Sequence, residues 1–121
     1  MKAPEPRSTD MRLDEIDGFP RLVLRGECNS RLAVLLTQGL DQLLKRGCRG
    51  IVLDTREIRY LDQSCSSALT QAIERLRAAG GDCVIVDQSD SLERCLKLLN
   101  LGSSVVAVPT LSQASTYLRW S

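Results

Sequence analysis

The spacing of apolar side chains along the chain changes period several times, and each change marks an element. Residues 11–16 alternate apolar and polar, Asp17-Gly18 supplies a turn, and residues 21–25 alternate again, which predicts two short strands joined as a hairpin. Between Ser30 and Lys45 the period becomes three and four. Leu32, Leu35, Leu36, Leu40, Leu43 and Leu44 form the stripe of an amphipathic helix, capped by Asn29 or Ser30 and stopped at Gly47. The run Ile51-Val52-Leu53, ending in Asp54, predicts a strand buried on both faces, followed by a polar loop over residues 55–60. Ala68, Leu69, Ala72, Ile73 and Leu76 mark a second helix closed by Gly80-Gly81, and Val84-Ile85-Val86 marks another buried strand. Asp90-Ser91-Leu92-Glu93 has capping-box spacing, and the helix it opens carries Leu92, Cys95, Leu96 and Leu99 on one face before stopping near Gly102. Residues 105–108 read as a last strand, and Thr110-Leu111-Ser112-Gln113 is a second capping box opening a short final helix.

The predicted order, β-β-α-β-α-β-α-β-α, specifies an α/β fold: one domain with a mostly parallel sheet of four to five strands, about four helices and right-handed crossovers. Residues 1–10, where Pro4 and Pro6 stand among charges, are expected to be a flexible tail, and residues 11–121 the domain. The expected core comprises Leu36, Leu40, Ile51, Leu53, Leu69, Ile73, Val84, Val86, Leu96 and Val106.

Composition narrows the function. Lys and Arg number 16 against 15 Asp and Glu, a net charge of +1, which argues against nucleic acid as a partner because phosphate neutralisation needs a basic excess. Aromatic residues are 3% of the chain, too few for base-stacking platforms. There is no His, so imidazole is unavailable as base, proton shuttle or metal ligand. Neither phosphate-loop glycine pattern occurs, and Gly80-Gly81 follows a helix, where it acts as a stop. Asp54 and Asp62 are read as loop or helix caps in preference to a catalytic pair. No catalytic residue, metal site or cofactor is therefore expected, and the protein is read as a non-enzyme. No apolar run approaches the eighteen residues of a membrane span and no signal peptide is recognisable, so a cytoplasmic protein without direct membrane insertion is expected. The five cysteines include no C-x-x-C pair and read mainly as small buried hydrophobes in a reducing compartment.

One stretch stands apart: Leu61-Asp62-Gln63-Ser64-Cys65-Ser66-Ser67-Ala68-Leu69, where a loop becomes the second helix. Asp62 suits a cap, and the serines crowd a first turn whose N–H groups point outward. A phosphate placed there would meet free donors and the positive end of the helix dipole, although serines at such positions are also ordinary capping residues. Cys65 in the same turn has a setting that lowers a thiol pKa, which leaves redox sensing as a further reading.

The chain resembles the STAS domain family, which includes the anti-sigma factor antagonists. The resemblance rests on Leu24-Arg25-Gly26-Glu27, on Gly50-Ile51-Val52-Leu53-Asp54, on Tyr60-Leu61-Asp62-Gln63-Ser64, on Leu76-Arg77-Ala78-Ala79-Gly80-Gly81, and on the run from Leu92 to Gly102 with Val105-Val106-Ala107-Val108 and Ser112-Gln113-Ala114 after it. It implies a protein without catalytic activity that binds a partner, often a serine kinase doubling as an anti-sigma factor, in a regulatory partner switch. In that family, phosphorylation of the hydroxyl residue after the motif Asp releases the partner. Asp62 matches the motif Asp, Gln63 falls on the phospho-acceptor position, Ser64 matches the second hydroxyl residue and Cys65 replaces the usual Gly. Gln has no hydroxyl to phosphorylate, and its neutral amide does not mimic a phosphate, so Gln63 resembles the unmodified, partner-binding state. Ser64 is the alternative acceptor. The resemblance implies a partner surface made of Glu27, Asn29, Asp62, Gln63, Ser64, Cys65 and Ser66. It admits a second role, as an accessory subunit stabilising the ATPase of a lipid-trafficking ABC transporter.

Overall fold

The turn at Asp17-Gly18 fixes the first pairing. Both residues have positive φ, 51° and 88°, as a two-residue type I′ hairpin requires. The turn joins β1 (Asp10–Ile16) to β2 (Phe19–Cys28) in an antiparallel ladder running from Ile16 opposite Phe19 to Asp10 opposite Arg25. These positions belong to a computed structural model that describes residues 10–61, 63–87 and 106–120. The remaining described elements are α1 (Ser30–Lys45), β3 (Gly50–Leu61), α2 (Gln63–Ala78), β4 (Asp82–Val86), β5 (Val106–Val108) and α3 (Leu111–Trp120).

The five strands lie in the order β1-β2-β3-β4-β5. β2 to β5 are mutually parallel and β1 is antiparallel at the edge, which makes the sheet mixed. Three helices accompany it among the described residues, against the four expected. The expected helix carrying Leu92, Cys95, Leu96 and Leu99, with its capping box at Asp90, lies outside the described residues.

Local chemistry explains where the helices begin and end. Asn29 Oδ1 accepts the N–H groups of Arg31 and Leu32 at 3.1 and 3.2 Å, the N-cap that the sequence pattern offered. At the other end of α1, Gly47 N–H donates to Leu44 O and Cys48 N–H to Leu43 O, the paired bonds of a Schellman motif. α2 closes in the same way, with Gly80 N–H donating to Arg77 O and Gly81 N–H to Leu76 O. At the start of α3 the Thr110 hydroxyl accepts Gln113 N–H at 3.1 Å and lies 3.2 Å from Gln113 Oε1, to which it donates.

Alternation along the strands sorts side chains onto two faces. Leu22 and Leu24 of β2, Ile51 and Leu53 of β3, and Cys83 and Ile85 of β4 pack with Leu32, Leu36, Leu40 and Leu43 of α1 and Leu69, Ile73 and Leu76 of α2. On the opposite face, Val52, Val84 and Val86 meet Ala114 and Leu118 of α3. Eight of the ten expected core residues are described and buried; Leu96 lies outside the described residues. Val106 is half-buried instead; among the described residues β5 is the last strand of the sheet and pairs with β4 alone.

β3 departs furthest from expectation. Residues 55–60, expected as a loop, continue the strand to Leu61 and remain paired with β2. The register shifts between Val23 and Arg25 and again between Gly26 and Glu27, each shift accommodating one extra residue on β3. Such bulges let a polar stretch stay in a sheet although its alternation is broken.

Candidate functional site

Parallel pairing brings the implied partner-binding residues towards one edge. Glu27 of β2 lies opposite Tyr60 of β3, and Cys28 opposite Leu61. Asn29 follows immediately and caps α1, while Gln63 opens α2 two residues beyond Leu61. The starts of α1 and α2 therefore sit at the carboxyl ends of neighbouring strands, the edge at which open α/β sheets present their sites. Gly26 shapes this corner: its φ of +87° is one that side-chain-bearing residues rarely adopt, and it occurs where the register shifts just before Glu27.

The half-buried Glu27 occupies the end of β2. Asn29 is half-buried with its carbonyl oxygen engaged by the α1 cap. Gln63, Ser64, Cys65 and Ser66 form the opening of α2, whose backbone runs as a helix from Gln63. Asp62 lies outside the described residues. Among the described residues no group of three or more His, Cys, Asp or Glu is placed to hold a metal ion, and no helix is long and apolar enough to cross a membrane.

The sequence reading missed an ion-pair cluster on the face of the sheet that α3 shares. Asp54, expected as a loop or helix cap, lies within β3 instead, 2% exposed. Its carboxylate accepts Arg56 Nε at 2.9 Å, Arg56 Nη2 at 2.7 Å, the Arg56 backbone N–H at 3.2 Å and Arg21 Nη1 at 3.0 Å. Arg21 in turn grips Asp14 of β1 in a bidentate pair, Nε to Oδ1 at 2.7 Å and Nη2 to Oδ2 at 2.6 Å. Burial is the largest influence on the Asp54 carboxyl and pushes its pKa up, but the hydrogen bonds and charge of Arg56, with the charge of Arg21, outweigh it and leave the pKa lowered. Asp14 is lowered chiefly by its hydrogen bonds to Arg21. Two arginines and two aspartates thus cross-link three strands. The register between β2 and β3, which sequence spacing does not reveal, is what brings them together.

The cysteines that can be described behave as packing. Cys83 is buried, and desolvation pushes its thiol up to about 12, so it stays protonated at neutral pH. Cys48 is half-buried beside the core of the helix-covered face.

The STAS domain family matches residues 10–114, and the chain belongs to this family. Among solved structures, an anti-sigma factor antagonist from Mycobacterium paratuberculosis superposes with a TM-score of 0.81 at 22% identity, over 97% of this chain and 99% of that one. The anti-sigma factor antagonist SpoIIAA in its unphosphorylated form gives 0.76 at 14% identity, over 93% and 98% of the two chains. The Bacillus cell fate determinant SpoIIAA in its phosphorylated form gives 0.71 at 14% identity, over 89% and 98%. These likenesses establish a shared STAS fold. No curated protein matches the chain significantly.

Proposed function

We propose that the protein is a non-enzymatic member of a cytoplasmic partner-switching system that binds a serine kinase or anti-sigma factor, as an anti-sigma factor antagonist does. The observation that carries this reading is the convergence of the β2 end with the opening turn of α2 at one sheet edge, in a chain of the STAS family. The contact surface in this reading comprises Glu27, Asn29, Asp62, Gln63, Ser64, Cys65 and Ser66. Its chemistry suits a protein partner: two helix starts, neutral hydrogen-bonding side chains and flanking carboxylates.

Gln63 sets the state of the switch. A kinase transfers the γ-phosphoryl group of ATP to a hydroxyl oxygen, and the Gln63 amide has none, so the position is held in the unmodified form. Ser64 is the alternative acceptor next in the chain, and a one-residue step turns its side chain by about 100° around the helix axis. A matched fold solved in both phosphorylated and unphosphorylated forms supports the idea of such a switch in that relative.

The test starts with affinity capture from the native cell and identification of the partner by mass spectrometry, then calorimetry with that purified partner. Gln63→Asp adds one negative charge to the interface and is expected to weaken binding about tenfold or more. Gln63→Ser is expected to restore an acceptor and make the complex sensitive to ATP. Unchanged affinity of Gln63→Asp places the partner surface elsewhere. Capture of an ABC transporter ATPase in place of a kinase establishes the accessory-subunit role instead.

A further inference from the structure

The opposite end of the sheet holds a cavity of about 620 Å³, at the amino ends of β3 and β4 and below the carboxyl end of α2. Its size falls in the range of small-molecule sites, roughly 300–1,000 Å³. Phe19, Tyr117 and Leu118 supply an apolar wall. Gly50 keeps that wall clear, since a Cβ there would stand 3.1 Å from the Phe19 ring and 3.5 Å from a Leu118 methyl.

The polar groups of the cavity are unequally satisfied. Asp82 accepts Cys83 N–H at 2.8 Å and the Tyr117 hydroxyl at 3.0 Å, while Arg77 reaches it only at 3.5 Å. That is well beyond the 2.7–2.9 Å of a good charge-assisted bond, so the Arg77 guanidinium keeps most of its donor capacity. Arg49 has no ion-pair partner among the described residues, and its Nη1 lies over the turn that closes α2, 3.7 Å from the position of a Cβ on Gly80. Two guanidinium charges face one carboxylate. The carboxyl end of α2 contributes only about half a negative charge, and its last carbonyls are already engaged in the Schellman bonds, so the cavity remains electropositive.

We propose that this cavity binds a small organic anion with a flat apolar body, its anionic head between Arg49 and Arg77 and its body against Phe19, Tyr117 and Leu118. A cation is disfavoured by the two guanidinium groups. The site is distinct from the partner surface, since α2, with 16 residues at about 1.5 Å rise each, separates the two ends by about 24 Å.

The experiment is an amide NMR titration of the full chain with 2-naphthoate, using 2-naphthamide and inorganic phosphate as matched probes. Saturable shifts centred on Gly50, Gly80, Gly81, Asp82 and Tyr117 are expected with 2-naphthoate only. Arg49→Gln and Arg77→Gln, both at exposed side chains, should each weaken binding about tenfold while leaving the thermal transition in place. Equal binding of the neutral amide overturns the anionic head, and saturation of the same amides by phosphate alone overturns the apolar body. Absence of saturable shifts with 2-naphthoate up to about 10 mM, a threshold for even weak ligands, overturns the proposal entirely.

Discussion

Asp54→Asn removes the charge at the centre of the ion-pair cluster while conserving shape. The native carboxylate takes three bonds from Arg56 and one from Arg21. An amide keeps one acceptor oxygen and turns its NH2 towards guanidinium donors, so charge-assisted bonds of about 1.5–3 kcal/mol each are lost or weakened. Breaking a fully buried pair costs about 3–5 kcal/mol. The arginine side chains here are 20% and 31% exposed and can recover hydration, which lowers the expected loss to about 2–3 kcal/mol. For a domain of about a hundred residues that is a fall in Tm of roughly 10–15 °C. Urea unfolding followed by circular dichroism at pH 7 measures it. The pH dependence supplies a second reading: a carboxyl with a lowered folded pKa contributes fully above its unfolded value, near 4, and loses that contribution as pH falls through the folded value. The gap between parent and variant should therefore narrow below about pH 4. A variant within about 0.5 kcal/mol of the parent at pH 7, or a gap that widens in acid, would refute the assignment of the cluster as a structural anchor.

The other expectations concern packing and thiol chemistry. Ile73→Asp places an unpaired carboxylate in the core between α2 and the sheet, at a cost of several kcal/mol, and should abolish the cooperative thermal transition; survival of that transition would contradict the packing described. Gly81→Ala puts a Cβ 2.6 Å from a Leu76 methyl and 2.9 Å from the Arg49 carbonyl oxygen, and is expected to cost about 1–3 kcal/mol in urea unfolding, whereas a neutral result would mean that the helix end and strand separate freely. Cys83 should resist alkylation by iodoacetamide at pH 8 in the native state and react on unfolding, as mapped by mass spectrometry; native-state labelling would contradict its burial.

Elements with strong local signals were legible in the sequence. The leucine stripe of α1, its Asn29 cap and Gly47 stop, and the Asp17-Gly18 turn all depend on neighbours within a few residues, and all stand where their chemistry put them. β3 was half legible. Ile51 to Leu53 announce a buried strand, but Arg56, Glu57 and Arg59 read as loop because their place in the sheet depends on β2, thirty residues away, and on two bulges. The same non-local dependence hid the true setting of Asp54, whose partner Arg21 lies 33 positions earlier. At the candidate partner surface, the sequence motif named the residues, and only the parallel register of β2 with β3 could say that Glu27 and the start of α2 share an edge.

The anchoring of α2 has a consequence for how this protein can diversify. Among the described side chains of α2, those that hold the helix to the sheet are Leu69, Ala72, Ile73 and Leu76. In the proposed contact surface, the residues of α2 are those of its opening turn, 63–66, which precede these anchors in the chain. In copies of such a gene that keep the fold, drift at Leu69, Ala72, Ile73 and Leu76 is restrained by their packing against the sheet, where each lost methylene leaves a void.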